Sequence, residues 1–188
     1  ESHGGGVGIV IDGCPAGLPI TEAEIQNEVN KRRPEAGIGT GRIEADRVEI
    51  LSGIFKGNTT GAPICLWIQN RDVDSSEYER IRFLPRPGHA DYTAWVKYGS
   101  FNDYRGGGRF SGRITAAWVM AGAVARKALQ QIGIEVLAHT VEIGGIKAKP
   151  VTVDEIRQNV GTNPARCADL PTATEMVKLI ERVRKAGN

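Results

Sequence analysis

RVEILSGIFKGNTTGAPICLWI, residues 47–68, is the stretch that decides the fold class. Arg47 to Ser52 and Pro63 to Ile68 alternate or run apolar, and Gly53, Gly57 and Gly61 punctuate the connection between them. This pattern predicts two strands, antiparallel neighbours joined by a short link. Upstream, Val7 to Asp12 is a third β-branched stretch that ends in a Gly13/Pro15 turn. Between strands, Thr21-x-x-Glu24 is a capping box. It opens a helix whose apolar stripe is Ile25 and Val29 and which Pro34 stops near Arg33.

Further along, Ile114, Trp118, Ala121, Ala125, Ala128 and Ile132 step at helical spacing to Gly133, which predicts the longest helix. Ile134 to Val141 alternates as a strand. Thr152-x-x-Glu155 and Thr172-x-x-Glu175 are further capping boxes, the second opening a helix through Met176, Leu179, Ile180 and Val183 to Gly187. From Arg71 to Asp103 apolar periodicity fades while Pro85, Pro87, Gly88 and Gly99 accumulate, so a long irregular segment is expected there. Its Tyr92, Trp95, Tyr98, Phe101 and Tyr104 argue that it is ordered. Strands and helices without strict βαβ alternation indicate α+β, a largely antiparallel sheet with helices packed on the outside.

Composition narrows the function classes. The chain has 188 residues, 40% hydrophobic and 24% charged, the proportions of an ordinary globular protein. Glycine, at 24 residues, is the outlier and suggests loops shaped for close backbone approach. A net charge of +2 does not by itself imply nucleic acid. Cys14, Cys65 and Cys167 are far apart with no C-x-x-C pair, which argues against a zinc site or disulfide framework and fits a reducing cytoplasm. No run of about 18 apolar residues supports a membrane span.

The chemistry concentrates in Arg86-Pro87-Gly88-His89-Ala90-Asp91-Tyr92, Asp103-Tyr104-Arg105-Gly106-Gly107-Gly108-Arg109 and Ser111-Gly112-Arg113. Arg80 to Arg113 holds seven Lys/Arg and two Asp. Arginine forks and glycine backbone N–H groups together suit a multiply charged small anion. The N-terminus of the helix beginning near Ile114 adds donors to that pocket. His89 sits in a rigid turn where Asp91 could orient it, while His3 lies between Ser2 and Gly4 with no apolar face to join. Histidine shuttles a proton near neutrality, although either residue could equally be a turn or surface histidine. His139 carries no assigned chemistry. Arg32 and Arg33 at a helix end could simply complement the dipole, an account that does not extend to Arg42 after its glycine loop. A non-catalytic anion- or RNA-binding module is the rival reading, and it lacks the aromatic signature of an RNA-binding sheet.

These blocks resemble chorismate synthase. Glu1-Ser2-His3-Gly4, Asp46 to Gly53, Gly57 to Ile64 and Gly108 to Ala123 occur in that family's order, with Gly112 and Ile114 where members usually carry Ala and Glu. The resemblance implies one lobe of that family's β-α-β sandwich, residues 1–188 being a single N-terminal lobe of about half the family's length. It implies an enzyme that eliminates phosphate from 5-enolpyruvylshikimate-3-phosphate to give chorismate, requiring reduced FMN, with NADP as the associated nucleotide. His3 is then the acid for the departing phosphate and His89 the group that protonates the reduced flavin. Arg33, Arg42, Arg86, Ser111 and Arg113 bind substrate, Arg32 less firmly. Arg86, His89, Ser111 and Gly112 meet the flavin. A cytoplasmic homotetramer is implied, with no metal, nucleic acid or membrane partner. The family's catalytic Asp and much of its flavin-phosphate grip have no counterpart in these residues, so the chain alone is expected to be inactive.

Overall fold

The computed structural model describes residues 1–32, 45–71 and 73–187. These residues form two compact units, one of residues 1–32 and 45–133 and one of residues 134–187.

The first unit is built on three strands, β1 (Gly6–Ile11), β2 (Val48–Ser52) and β5 (Ile64–Gln69), in the order β1-β5-β2 and antiparallel throughout. The expected pairing of the strands flanking the glycine-rich link is therefore present, and β1 closes the other edge. Two short strands, β3 (Ile54–Phe55) and β4 (Asn58–Thr59), form a hairpin inside that link. Because side chains alternate along a strand, the register Val7↔Ile68, Ile9↔Leu66 and Ile11↔Ile64 places all six apolar residues on one face. Val48 and Ile50 join them from β2. On the opposite face Trp67 lies across Gly6 and Gly8, where an added Cβ at Gly6 would stand 2.3 Å from the indole.

Helices α1 (Glu22–Asn30) and α4 (Thr115–Gln131) cover the apolar face. Thr21 and Glu24 make the expected reciprocal capping box, and Ile25 and Val29 are fully buried. α4, 17 residues long, presents Ala116, Ala117, Met120, Ala123 and Val124, small side chains for the most part, which let it approach the sheet closely. Gln26 ties α1 to the sheet by accepting from Val48 N at 2.8 Å.

The segment 71–103 differs from expectation. It contains α2 (Ser76–Arg80) and α3 (Asp91–Tyr98), the latter ending at Gly99 in the left-handed conformation. Only Ala94 of α3 is buried, so its sequence carries no apolar stripe to betray a helix.

In the second unit residues 134–141 form no strand; Thr140 N bonds to Arg166 O instead of entering a ladder. The hairpin of β6 (Glu142–Ile143) and β7 (Ile146–Lys147) follows. The box at Thr152 caps α5 (Val153–Asn159) as expected. The box at Thr172 does not form: α6 (Leu170–Lys185) starts three residues earlier behind Asp169, with Pro171 in its first turn. Proline is pre-organised for that position, and the Thr172 hydroxyl is left to bond Asp169 Oδ2 at 2.5 Å. A small core of Ala165, Cys167, Ala173 and Met176 supports this unit.

Candidate functional site

The first unit brings His3 and His89, 86 positions apart in sequence, onto adjacent glycines. An added Cβ at Gly106 would stand 2.2 Å from His3 Cδ2, and one at Gly107 would stand 2.8 Å from His89 Cε1. Tyr78 of α2 links the two rings: it meets His3 edge-on at 5.0 Å, and the Arg86 guanidinium lies over its ring at 5.3 Å. Arg86 in turn contacts His89 Nδ1 at 3.2 Å.

The glycine triplet thus has a different reason from the one its composition suggests. Gly106, Gly107 and Gly108 all have positive φ, and the third packs against Asp103 O, 2.1 Å from an added Cβ. The glycines make room for two imidazoles and a backbone carbonyl. No anion-holding nest is needed to explain them.

Each arginine of the cluster has a defined neighbour. Arg86 holds Asp91 through Nε at 2.8 Å and Nη2 at 2.9 Å, and its own N–H also reaches that carboxylate. Those bonds hold the Asp91 carboxyl well below the usual carboxylate range and raise Arg86 above its own. His89 Nδ1 lies 2.9 Å from Asp91 Oδ1. Guanidinium can only donate and Asp91 only accepts, so Nδ1 bonds one of the two at a time, and Nε2 is the nitrogen nearer Gly107. Asp91 orients His89, as the turn sequence suggested. Arg105 is chelated by Asp103, which its bonds hold low, and Arg109 donates to Tyr98 Oη at 3.1 Å. Of the seven positive side chains from Arg80 to Arg113, Arg80, Arg86, Arg105 and Arg113 each pair with an acid close by or far along the chain.

Arg113 is the farthest-reaching case. Its side chain is 5% exposed; Nη1 donates to Asp46 and Nε to Asn70 Oδ1 at 3.1 Å. Asn70 Nδ2 then meets the carbonyls of Glu1, Ser2 and Gly4 at 2.8, 2.9 and 2.9 Å, wrapping the backbone on either side of His3. Ser111 Oγ accepts from Arg113 N at 3.3 Å, and Gly112 is exposed with nothing within 4 Å of a Cβ position. Arg32 crosses to the same turn, its Nη2 donating to Gly112 O at 2.9 Å and its Nε to Thr115 Oγ1 at 3.1 Å. Arg33 and Arg42 lie outside the described residues.

Asn70, Ser75, Tyr78 and Asp46 are the residues that sequence reasoning did not pick out. Asp46 adopts a positive φ of 46°, tolerable for aspartate and consistent with a side chain locked by Arg113. None carries a local signature, because each acts on a partner more than forty positions away, and only Asp46 lies inside one of the quoted family blocks. Beyond Arg86 a pocket opens between Leu84, Trp95, Asn102 and Tyr104. Arg82 stacks there on Phe83 and Tyr104 at 5.2 and 5.0 Å. Among the described residues no group of three or more His, Cys, Asp or Glu is placed to hold a metal, and no helix is long and apolar enough to cross a membrane.

The chain is 58% identical over its whole length to a chorismate synthase of Dehalococcoides mccartyi and 55% identical to one of Methanocella arvoryzae, covering 52% and 50% of those proteins. It therefore spans about half the length of the curated relatives it matches. A solved structure described as the crystal structure of chorismate synthase superposes with a TM-score of 0.75 at 30% identity, over all of this chain and 52% of that one. The chorismate synthase family model matches residues 1–188, and the chain belongs to that family.

Proposed function

We propose that the protein carrying this chain is a chorismate synthase, which removes phosphate and a ring proton from 5-enolpyruvylshikimate-3-phosphate to give chorismate. The observation that carries the reading is the seating of His3 and His89 on Gly106 and Gly107, with Tyr78 and Arg86 between them. His3, as imidazolium, gives its proton to a phosphate oxygen while the carbon–oxygen bond breaks, so that the leaving group departs with less charge. Arg33 and Arg42 neutralise the substrate's carboxylates and phosphate, with Arg32 in a lesser part. Arg113 and Ser111 complete that binding set, and Asp46 fixes how the Arg113 guanidinium is turned.

Reduced FMN fits the residues present. Gly112 offers open backbone where a side chain would stand, and the half-buried Arg86 and His89 offer donors. Arg86, His89, Ser111 and Gly112 would hold the flavin, and its reduced ring supplies electron density to the substrate with no net redox change. His89, oriented by Asp91, would hold a proton on its ring for the flavin. The exposed Phe83, Leu84, Val96 and Phe101 suit burial between the subunits of a homotetramer, and the separated free cysteines suit the cytoplasm.

The test is anaerobic assay of phosphate release and chorismate formation by the whole protein with reduced FMN, comparing wild type and His3→Ala. We expect turnover to fall by about 10²-fold or more with substrate binding less affected. A change confined to KM overturns the acid role of His3.

A further inference from the structure

Ser75 occupies the N-cap of α2, the place where serine ordinarily accepts a bond from the helix's first turn. It makes no such bond. Asp74 takes over, its Oδ1 accepting from Ser76 N at 2.9 Å, and the Ser75 hydroxyl turns instead to His3 Nδ1 at 2.9 Å. A local capping rule is thus set aside in favour of a contact 72 positions away, which is where a functional constraint is to be looked for.

The other contacts of His3 fix where the ring sits. Asn70 clamps the carbonyls of Glu1, Ser2 and Gly4, fixing the backbone that carries the ring. Tyr78 meets the ring edge-on, and Gly106 lies against the Cδ2–Nε2 edge. Asp74, its carboxyl held low chiefly by Ser76, adds a negative field that also involves His3. A hydrogen-bond acceptor at Nδ1 decides which nitrogen keeps its proton when the ring is neutral.

We propose that Ser75 is a positioning residue for His3. Its Oγ accepts from Nδ1–H, holds the neutral ring as the Nδ1–H tautomer, and so makes Nε2 the nitrogen that surrenders a proton to the leaving group. In the imidazolium both nitrogens carry protons; transfer breaks the Nε2–H bond, forms an O–H bond on the phosphate, and leaves Nδ1–H bonded to Ser75. This rests on the reading of His3 as the general acid. Asp74 keeps the helix capped without Ser75, so Ser75→Ala is expected to fold normally.

Two readouts separate this inference from that reading. Ring ¹⁵N chemical shifts of His3 in the 188-residue chain should show the Nδ1–H form at a pH where the ring is neutral, and Ser75→Ala should lose that preference. In the whole protein, Ser75→Ala should lower kcat about tenfold with KM within about twofold, and Ser75→Thr, which keeps the hydroxyl, should restore it. A wild-type His3 in the Nε2–H form, or ring shifts unchanged by Ser75→Ala, overturns the proposal whatever the turnover. Full turnover in His3→Ala sinks the acid reading, and the proposed role for Ser75 with it, even when the nitrogen shifts show the bond itself.

Discussion

Gly106 and Gly112 are six positions apart and answer to opposite demands. At Gly106 both φ, +58°, and the His3 ring 2.2 Å from a Cβ position exclude a side chain. At Gly112 nothing lies within 4 Å and φ is not positive. Gly106→Ala should therefore cost more than about 2 kcal/mol, from left-handed strain plus a displaced imidazole, whereas Gly112→Ala should stay within about 0.5 kcal/mol. Urea midpoints of the two variants against wild type check the contrast, and equal midpoints would remove the close-approach explanation. Glycine enrichment was legible in the sequence, but its cause was not, since nothing local says that two histidines from elsewhere pack there. The same holds for charge. Arg86 and Asp91 form one ionic clamp, and the carboxyl that Arg86 holds low contributes stability that is complete above the unfolded carboxylate value near pH 4. That contribution is lost as pH falls from there toward the depressed native value. Asp91→Asn should accordingly flatten the loss of stability between about pH 5 and pH 2 relative to wild type. A pair of parallel pH–stability curves would count against the clamp.

Elements with an apolar period that pack against the core were legible as elements, although on α4 the buried face is Ala116, Ala117, Met120, Ala123 and Val124 while the expected Trp118 and Ile132 are exposed; elements without such a period were missed. β5 shows why the three-stranded sheet was readable: Ile64, Leu66 and Ile68 alternate along it and are all fully buried against α1 and α4. Leu66→Ala at the centre of that strand should cost about 2–5 kcal/mol by leaving a cavity that neighbouring backbone pairs cannot collapse into. Chemical denaturation measures it, and a loss below about 1 kcal/mol would mean that the sheet face is not the main core. By contrast α3 buries only Ala94, and α2 buries no residue at all, so periodicity had nothing to report. Yet α2 supplies Tyr78, and its N-cap supplies Ser75. The helices that matter most to the candidate site are thus the ones least visible to an apolar pattern, because their inward-facing groups are polar or aromatic and contact a histidine loop instead of the core. Residues 134–141 fail in the other direction: alternation is present, but with Thr140 bonded to Arg166 no ladder partner is engaged.

At the scale of the whole molecule, the two units differ in how much apolar surface holds each together. The first encloses a continuous core from Val7 through Val124, whereas the core cluster of the second has four residues among those described, three of them Ala or Cys. Hydrophobic stabilisation scales with buried apolar area, so opening of the second unit should require less free energy than opening of the first. Its hydrogen bonds do not compensate: many are side-chain bonds on exposed residues, such as the Arg157 contacts with Glu135, and exposed ion pairs contribute at most about 1 kcal/mol. The candidate site draws its described residues entirely from the first unit: His3 ahead of β1, Asn70 after β5, Tyr78 in α2, Arg86 and His89 ahead of α3, and Arg113 ahead of α4. Native-state hydrogen exchange should therefore show β5 amides exchanging last. The amides of α6 should exchange earlier by about tenfold or more, which corresponds to a difference of about 1.4 kcal/mol in opening. Protection should extend from β5 to the amides around Asn70, because Asn70 N bonds to Gly5 O and its side chain pins three further carbonyls. Asn70→Ala should release that protection locally while leaving the centre of β5 unchanged. Uniform loss across the sheet would mean that Asn70 supports the fold at large, and the histidine loop would then have no separate clamp.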